Sequence, residues 1–466
     1  MRVLILTEAG ENIGYGHVSR CLSLHEEFLK KDHISKIIVR GKDIRQNTAI
    51  KNVYFQNWPE NVTDDNDVVI IDSYNCDKKY YEDIIKYFSC VAFDDFNRID
   101  YPKDCIIINP AGKKEDYKNN VLISGFEFFT LKSCFHIKEQ KKINQNISRI
   151  LLMPGSGISE ESLLLILKEL REDFEIDLVL SKPIDKIPEN INTYKDISSK
   201  EIKRLMQKDD ICITAAGQTL IEALSVGIPC ITIKTAENQQ NNIVLMIDKD
   251  LIINIGSPSF ENINKIKEIV DKMDLIWRKE VSKRSLDLID GKGSKRIIKA
   301  ILRDVLYKNI NIRKAESDDC KKVFDLANEK SVRENSYNSD LIIFEEHKIW
   351  YDKKIKDKDE IFLLGFYKDH LVGQVRFSKQ EKNVIVGISI SPQFRGMNAA
   401  SLILSLGEKI LKEEFKEIEN IYAYVKNTNK ASIGIFKKNG YDFNKDLEIE
   451  GTRSQLWIKR FNKDND

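Results

Sequence analysis

The sequence predicts an α/β protein made of two doubly wound halves followed by a smaller α+β unit. Three observations carry that prediction. At 466 residues the chain is too long for one ordinary core and points to about three domain-sized pieces. From the N-terminus to about residue 306, short runs rich in Val and Ile alternate with amphipathic stretches. After Tyr307 that rhythm gives way to longer strands and a hairpin.

In chain order, VLILT (3–7), KIIV (36–39), VVIID (68–72), VAFDD (91–95) and CIIIN (105–109) read as strands buried on both faces, hence nearly continuous in apolar residues. Amphipathic stretches such as HVSRCLSLHEEFLKK lie between them, the βαβ alternation of a parallel sheet. A polar connector, EQKKINQN (139–146), follows. The rhythm restarts with RILLMPGSG (149–157), a helix near 160–172, DLVLS (177–181), a helix from about Ser199, DICIT (210–214), a helix from Gln218 and CITIK (230–234). The helical stretch 290–306 closes this region. The expected pieces are therefore 1–140 and 147–306, two Rossmann-like halves with a cleft between them, and 308–466. In the last piece INIRKAESDD opens a strand and helix, EIFLLGFYKDHLVGQVRFS forms a hairpin turning at Lys368–His370, and VIVGISISP is a strand. A glycine-containing loop, a long helix near 399–416, IYAYV and a helix from Asn429 to Asn439 complete it.

Composition narrows the function. Lys plus Arg (74) nearly cancels Asp plus Glu (73), so no global field attracts nucleic acid or an anionic membrane, and any anion site is local. The eight cysteines form no C-x-x-C pair and no zinc spacing, and read as buried reduced thiols. No metal site is expected. No apolar stretch approaches about 20 residues and the first residues run straight into glycines, so a cytoplasmic protein with no membrane span is expected. Nothing in the sequence sets an oligomeric state.

Two segments carry candidate chemistry in the first 306 residues. ENIGYGHVSR places Gly14, Gly16, His17 and Arg20 at the first strand-to-helix turn, where backbone N–H groups and the helix dipole favour an anion. The dinucleotide fingerprint is incomplete, which disfavours NAD. A histidine in the first helical turn has its cation disfavoured by the dipole, so His17 is expected to be neutral and able to accept a proton; a turn-capping role is its bland alternative. His25, further along the same helix, reads as an ordinary, partly exposed residue. In the second half, Gly217, Gln218 and Thr219 place backbone donors at a helix start, suited to a diphosphate. Glu222, one turn on, could accept from both ribose hydroxyls, and Asn238 and Gln239 follow the next strand end, where such sheets bind ligands.

G-x-G-H-x-x-R-C near the N-terminus, A-A-G-x-T-x-x-E-A and a later A-x-N-Q resemble the UDP-sugar hydrolase of pseudaminic acid biosynthesis, the UDP-2,4-diacetamido-2,4,6-trideoxy-altropyranose hydrolase. That family is related to the GT-B glycosyltransferase that makes lipid II. The likeness spans about residues 1–305 and includes IDSYN (71–75), FDDF (93–96) and GFEFFTLKSCF (125–135). It implies a GT-B-like pair of domains and attack of water on the anomeric carbon with departure of UDP. By position it makes His17 the base that activates or orients water, with Gly16 and Arg20 supporting that turn. Gly217, Gln218, Thr219, Glu222, Asn238 and Gln239 would hold UDP and sugar, with Asp72, Tyr74 and Asp95 on the sugar side. Asp72 and Asp95 could equally cap strand ends. The acid usual after the first strand of the second half is absent from MPGSGI (153–158), and Lys132 stands where the family tends to have arginine.

SISPQFRGMNAASLIL (389–404) resembles the pyrophosphate loop of GNAT acetyltransferases, and NKASIGIFKKNGYDF (429–443) the closing segment of that superfamily. The resemblance implies acetyl-CoA as co-substrate, held by Ile390, Arg395, Gly396, Asn398, Ala399 and Ala400, with Asn427, Asn429 and Phe436 as further contacts. Asn427 and Asn429 also read as helix caps. Asn398 replaces a loop glycine, and asparagine tolerates left-handed backbone. Phe436 stands at the usual tyrosine and lacks the hydroxyl that would protonate the departing thiolate. SVRENSYNSDLIIFEEHKIWYDKKI (331–355) looks like sugar-nucleotide N-acetyltransferases of the same pathway. The two resemblances together imply a bifunctional enzyme that 4-N-acetylates a UDP-4-amino-4,6-dideoxy-N-acetyl sugar and then removes UDP. Competing readings are a GT-B glycosyltransferase or a silent nucleotide-sugar-binding regulator at the N-terminus, and a protein or ribosomal acetyltransferase at the C-terminus.

Overall fold

A computed structural model describes residues 1–10, 16–41, 51–62, 65–136, 141–155, 157–180, 184 and 187–460. Gly14, Ser156 and the start of the connector at Glu139 lie outside the described residues. The chain forms two compact units, Met1–Ile301 and Leu302–Asp466.

The first unit contains two parallel sheets. In the first sheet β1 (Arg2–Glu8) leads into α1 (Gly16–Leu29). Then come β2 (Ile34–Arg40), β3 (Val53–Phe55), β4 (Val68–Asp72), α2 (Lys78–Ile85), β5 (Ser89–Phe93), β6 (Ile106–Ile108) and β7 (Val121–Ile123). The strand order is β3-β2-β1-β4-β5-β6-β7. All of β4 and nearly all of β1 are buried, as the unbroken Val/Ile runs require of strands covered on both faces.

The second sheet repeats the scheme with β8 (Arg149–Met153), α3 (Glu160–Leu170), β9 (Glu175–Leu180), β10 (Asn192–Lys195), α4 (Ser199–Lys208), β11 (Ile211–Ala215), α5 (Gln218–Val226), β12 (Cys230–Ile233), α6 (Gln240–Asp248) and β13 (Ile252–Asn254). Its order is β10-β9-β8-β11-β12-β13. In both sheets the order reverses beside the first strand, between β1 and β4 and between β8 and β11. Ligands of open parallel sheets bind at such a switch, beyond the carboxyl ends of the strands. Helices α7 (Phe260–Ile263), α8 (Ile266–Lys272), α9 (Leu275–Leu288) and α10 (Gly293–Asn309) follow.

The second unit is a seven-stranded sheet. Its elements are β14 (Ile310–Lys314), α11 (Cys320–Ala327), α12 (Lys330–Asn335), α13 (Phe344–Lys356), β15 (Glu360–Tyr367), β16 (His370–Gln380), β17 (Asn383–Ile390), α14 (Ala399–Glu414), β18 (Asn420–Lys426), α15 (Lys430–Lys438), β19 (Asp442–Ile449) and β20 (Thr452–Arg460). The order is β14-β15-β16-β17-β18-β20-β19, antiparallel except for the parallel pair β17–β18. Helix α14 packs on one face, where Gly407 lets it approach Val375 and Phe377. The other face builds a core from Phe362, Leu364 and Phe366 with Val323 of α11 and Tyr351 of α13.

Some local expectations change. The short strands β3, β7, β10 and β13 and the closing hairpin β19–β20 were not anticipated. Lys141, expected in a polar connector, is 7% exposed. Its ammonium donates to the Gln207 carbonyl at 2.9 Å, and burial pulls its pKa down to about 8. His25 is fully buried rather than partly exposed. Its ring nitrogens meet Ser35 Oγ at 2.8 Å and the Lys51 carbonyl at 2.9 Å, partners far apart in sequence. All eight cysteines are free, seven of them buried and Cys134 half-buried. Among the described residues no helix is long and apolar enough to cross a membrane, and no group of three or more His, Cys, Asp or Glu could hold a metal ion.

Candidate functional site

In the first unit, charge gathers where the first sheet reverses. Gly16 opens α1, and its α-carbon has open space around it. His17 is 4% exposed and its Nδ1 bonds Asp72 Oδ1 at the end of β4. One turn along α1, Arg20 grips Asp72 from both sides, Nε to Oδ2 at 2.6 Å and Nη2 to Oδ1 at 2.7 Å. Its Nη1 spans both oxygens of Asp95 at 2.8 and 3.1 Å, and its guanidinium lies 4.7 Å over the Phe93 ring. Asp72 and Asp95 thus bind a side-chain cation. Burial opposes the charge on Asp72, but Arg20 and then His17 hold its carboxyl well below the usual carboxylate range. Burial likewise opposes Arg20, and the two carboxylates hold it firmly protonated.

Tyr74, just past β4, donates to Asp95 and accepts from Asn238 Nδ2 at 2.8 Å; its ring meets the His17 ring edge-on at 4.3 Å. Burial, then the Asp95 charge, raise the phenol far above its ordinary value. With Nδ1 occupied by the Asp72 carboxylate, the lone pair of His17 lies on Nε2, which has no hydrogen bond among the described residues. The arrangement is a buried carboxylate fixing an imidazole's tautomer and orientation, the pairing that general-base chemistry uses.

A second cluster forms at the start of α5. Gly217 is its N-cap, with open space around the α-carbon; Gln218 is half-buried and donates to the Thr130 carbonyl at 2.8 Å; Thr219 is half-buried. Glu222, 6% exposed, makes no side-chain hydrogen bond among the described residues. Burial pushes its carboxyl up to about 7, against the pull of Lys132. Asn238 reaches the His17 network through Tyr74, whereas Gln239 folds back, its Oε1 accepting from the Thr235 amide at 2.9 Å.

Sequence reasoning missed Glu8 and Asn241. Glu8, 1% exposed, accepts from the Tyr74 amide at 2.7 Å and from Ser73 Oγ at 2.8 Å, and so shapes the turn that carries Tyr74. An acid closing an apolar strand was its signal. Asn241 donates to the Asp95 carbonyl at 2.8 Å.

In the second unit, β17 pairs with β18 only through Asn383, Val384 and Ile385 and then parts from it. Residues 386–390 keep their bonds to β16 and lose a partner on the other side. Past that wedge, Gly396 takes φ +76° and Asn398, the N-cap of α14, takes φ 64°, the left-handed backbone expected of it. Ala399 and Ala400 begin α14 and are buried. Arg395 turns to its own surroundings: Nε donates to the Ile390 carbonyl at 3.0 Å, Nη2 to Glu329 at 2.7 Å, and Nη1 to Ser331. Lys438 of α15, which the sequence did not single out, donates to Asn398 Oδ1 at 2.7 Å. Asn429 caps α15 through the Ser432 amide at 3.0 Å. Asn427 is not the cap of α15, and its buried Oδ1 has no partner among the described residues. Phe436 is 3% exposed and packs on Tyr441 at 5.0 Å.

The parted strands β17 and β18 thus border the helix N-terminus that suits an anion such as a pyrophosphate. Residues 321–441 match the Acetyltransferase (GNAT) family. The second unit therefore carries a GNAT acetyltransferase domain. An uncharacterized protein of Methanocaldococcus jannaschii is 25% identical over 99% of this chain and 100% of its own length. The spore coat polysaccharide biosynthesis protein SpsG of Bacillus subtilis is 30% identical over 122 residues, 25% of this chain and 35% of that protein. Among solved structures, spermidine N-acetyltransferase from Vibrio cholerae with CoA and spermine is 18% identical, covering 33% of this chain and 96% of its own, at a TM-score of 0.30.

Proposed function

We propose that the chain joins two consecutive steps on one nucleotide sugar: acetyl transfer to an amine in the second unit, and hydrolytic removal of UDP in the first, whose two parallel sheets we read as a GT-B-like pair. The observation that carries the hydrolase reading is the His17–Asp72–Arg20–Asp95 network with His17 Nε2 left free. Its chemistry balances simply. Water attacks the anomeric carbon and gives its proton to His17 Nε2, while the C1–O bond breaks and its electron pair leaves with UDP. Asp72, held ionised, stabilises the imidazolium that forms. The open N-terminus of α5 suits the diphosphate, and Glu222 the ribose hydroxyls.

In the acetyl transfer an amine attacks the thioester carbonyl, the C–S bond breaks, CoA leaves as thiolate, and the amine sheds a proton. The substrate we infer is a UDP-4-amino-4,6-dideoxy-N-acetyl sugar, and the final product 2,4-diacetamido-2,4,6-trideoxy-altropyranose, as in pseudaminic acid biosynthesis. A relative named for polysaccharide biosynthesis supports a sugar substrate. The test offers the protein this UDP-aminosugar with acetyl-CoA and follows products by NMR. N-acetylation followed by free UDP without any acceptor is expected. UDP release only when a sugar or lipid acceptor is added would make the first unit a glycosyltransferase, and no release at all a binding module.

A further inference from the structure

The face of the second unit's sheet opposite α14 carries a polar stripe that packing alone does not explain. Cross-strand register aligns Phe362 with Arg376 and Gly387, and Leu364 with Gln374 and Ser389, so these side chains share one face. Over it lies α13. Trp350 and Phe362 sit 5.0 and 5.5 Å from the Arg376 guanidinium, and His347 stands 5.2 Å from Trp350.

Among the described residues four buried polar atoms here have no hydrogen-bond partner: His347 Nε2, Gln374 Oε1, Arg376 Nε and Glu360 Oε1. His347 is 2% and Gln374 7% exposed. Buried polar atoms in folded proteins are nearly always satisfied, so such a concentration of orphans calls for a partner from outside the chain, water or ligand. The charge is unbalanced as well. Glu360 gives its other oxygen to Lys354 at 2.8 Å and Ser378 at 2.7 Å, while the Arg376 guanidinium makes no hydrogen bond or ion pair among the described residues. Two cations thus face one carboxylate. Burial and the Arg376 charge both lower the His347 pKa, so it adds no third cation at neutral pH.

There is room beside the guanidinium. A Cβ at Gly387 would meet nothing within 4 Å but Arg376 Nη2, at 3.8 Å. Gly387 and Ser389 belong to the stretch of β17 that has parted from β18, and both are half-buried. The free space, the uncompensated cation and the strand segment that borders the wedge therefore coincide.

We infer that Arg376 is the anion-recognising residue of the acetyl-acceptor site: it binds a phosphoryl group of an amine-bearing acceptor lying over Gly387, with Gln374 Oε1 accepting an N–H or O–H of the same molecule. The inference rests on the nucleotide-sugar reading above, and narrows it to an acceptor recognised through its phosphate. A half-buried guanidinium over aromatic rings suits a phosphate and repels a polyamine.

The experiment uses the full chain with Arg376→Met, Arg376→Lys and Gly387→Val. Acetylation is measured for the UDP-4-aminosugar, for the corresponding uncharged methyl glycoside, and for spermidine. Arg376→Met should raise KM for the UDP-sugar about 10- to 100-fold, the worth of a charged hydrogen bond. It should leave KM for acetyl-CoA and for the methyl glycoside within about twofold, and Arg376→Lys should recover part of the loss. Gly387→Val should block both sugars while acetyl-CoA still raises the melting temperature. Because the Arg376 guanidinium makes no hydrogen bond or ion pair among the described residues, Arg376→Met should keep a melting temperature close to wild type; a melting temperature well below wild type would make Arg376 a structural residue and overturn the inference. An unchanged KM for the UDP-sugar, or an equal loss on the methyl glycoside, would also overturn it. Wild-type protein that acetylates spermidine and no UDP-aminosugar would instead remove the nucleotide-sugar reading itself.

Discussion

At the scale of single residues, the first unit depends on one imidazole and one carboxyl. His17→Asn keeps a polar group beside Asp72 and removes the basic nitrogen. UDP release should fall about 10²–10⁴-fold, read by a coupled assay for free UDP. Glu222 gives a pH-dependent prediction. Its folded pKa of about 7 lies above the ordinary 4.5, so between those values the native state holds a proton that the unfolded chain has lost. Stability should therefore decline as pH rises from 4.5 through about 7, and Glu222→Gln should flatten that decline when urea midpoints are compared across the interval. Ribose hydroxyls donate, and so prefer the ionised form. UDP affinity by calorimetry should strengthen as pH rises through about 7, and Glu222→Gln should both weaken it and abolish the trend.

At the scale of elements, the loop proposed to hold acetyl-CoA turns on the left-handed residue that caps α14. Asn398→Gly should preserve the loop. Asn398→Ala keeps the Cβ but removes the carboxamide that makes left-handed backbone tolerable and accepts from Lys438, and should cost about 1–2 kcal/mol, seen as a lower melting temperature and a raised KM for acetyl-CoA. That asparagine was readable in advance because backbone handedness is a local property. The buried parallel strands were equally readable, since covering both faces forces unbroken Val/Ile runs such as VVIID. The three- and four-residue strands β3, β7, β10 and β13 are too short to carry a period. In β19, DFNKDLEI, no residue is fully buried, so no apolar alternation could announce it. His25 was misread because its partners, Ser35 and Lys51, arrive from elsewhere in the fold. Arg20 was legible only as support for a turn. That it joins Asp72 to Asp95 across 52 and 75 residues of sequence is a tertiary fact.

At the scale of the whole molecule, the two candidate chemistries lie in separate compact units, His17 within Met1–Ile301 and the acetyl-CoA loop within Leu302–Asp466. His17→Asn should thus leave acetyl transfer intact, and the acetylated UDP-sugar should accumulate in the NMR assay. A fragment comprising the second unit should show a thermal shift with acetyl-CoA; a folded fragment with no shift would contradict the assignment of the Asn398 loop. Within the first unit, the bonds from Asn238 to Tyr74 and from Asn241 to Asp95 link the two parallel sheets. Both are made by neutral amides, one to a phenol and one to a backbone carbonyl, whereas Arg20, Asp72 and Asp95 all belong to the same side. Parting the sheets there would break these two weak, uncharged contacts, each worth about 1 kcal/mol, and leave whole the ion pairs among the described residues of the His17 network. A parting at these contacts would be indifferent to ionic strength. Added salt should weaken the capture of a diphosphate while barely altering how readily the two sheets part there.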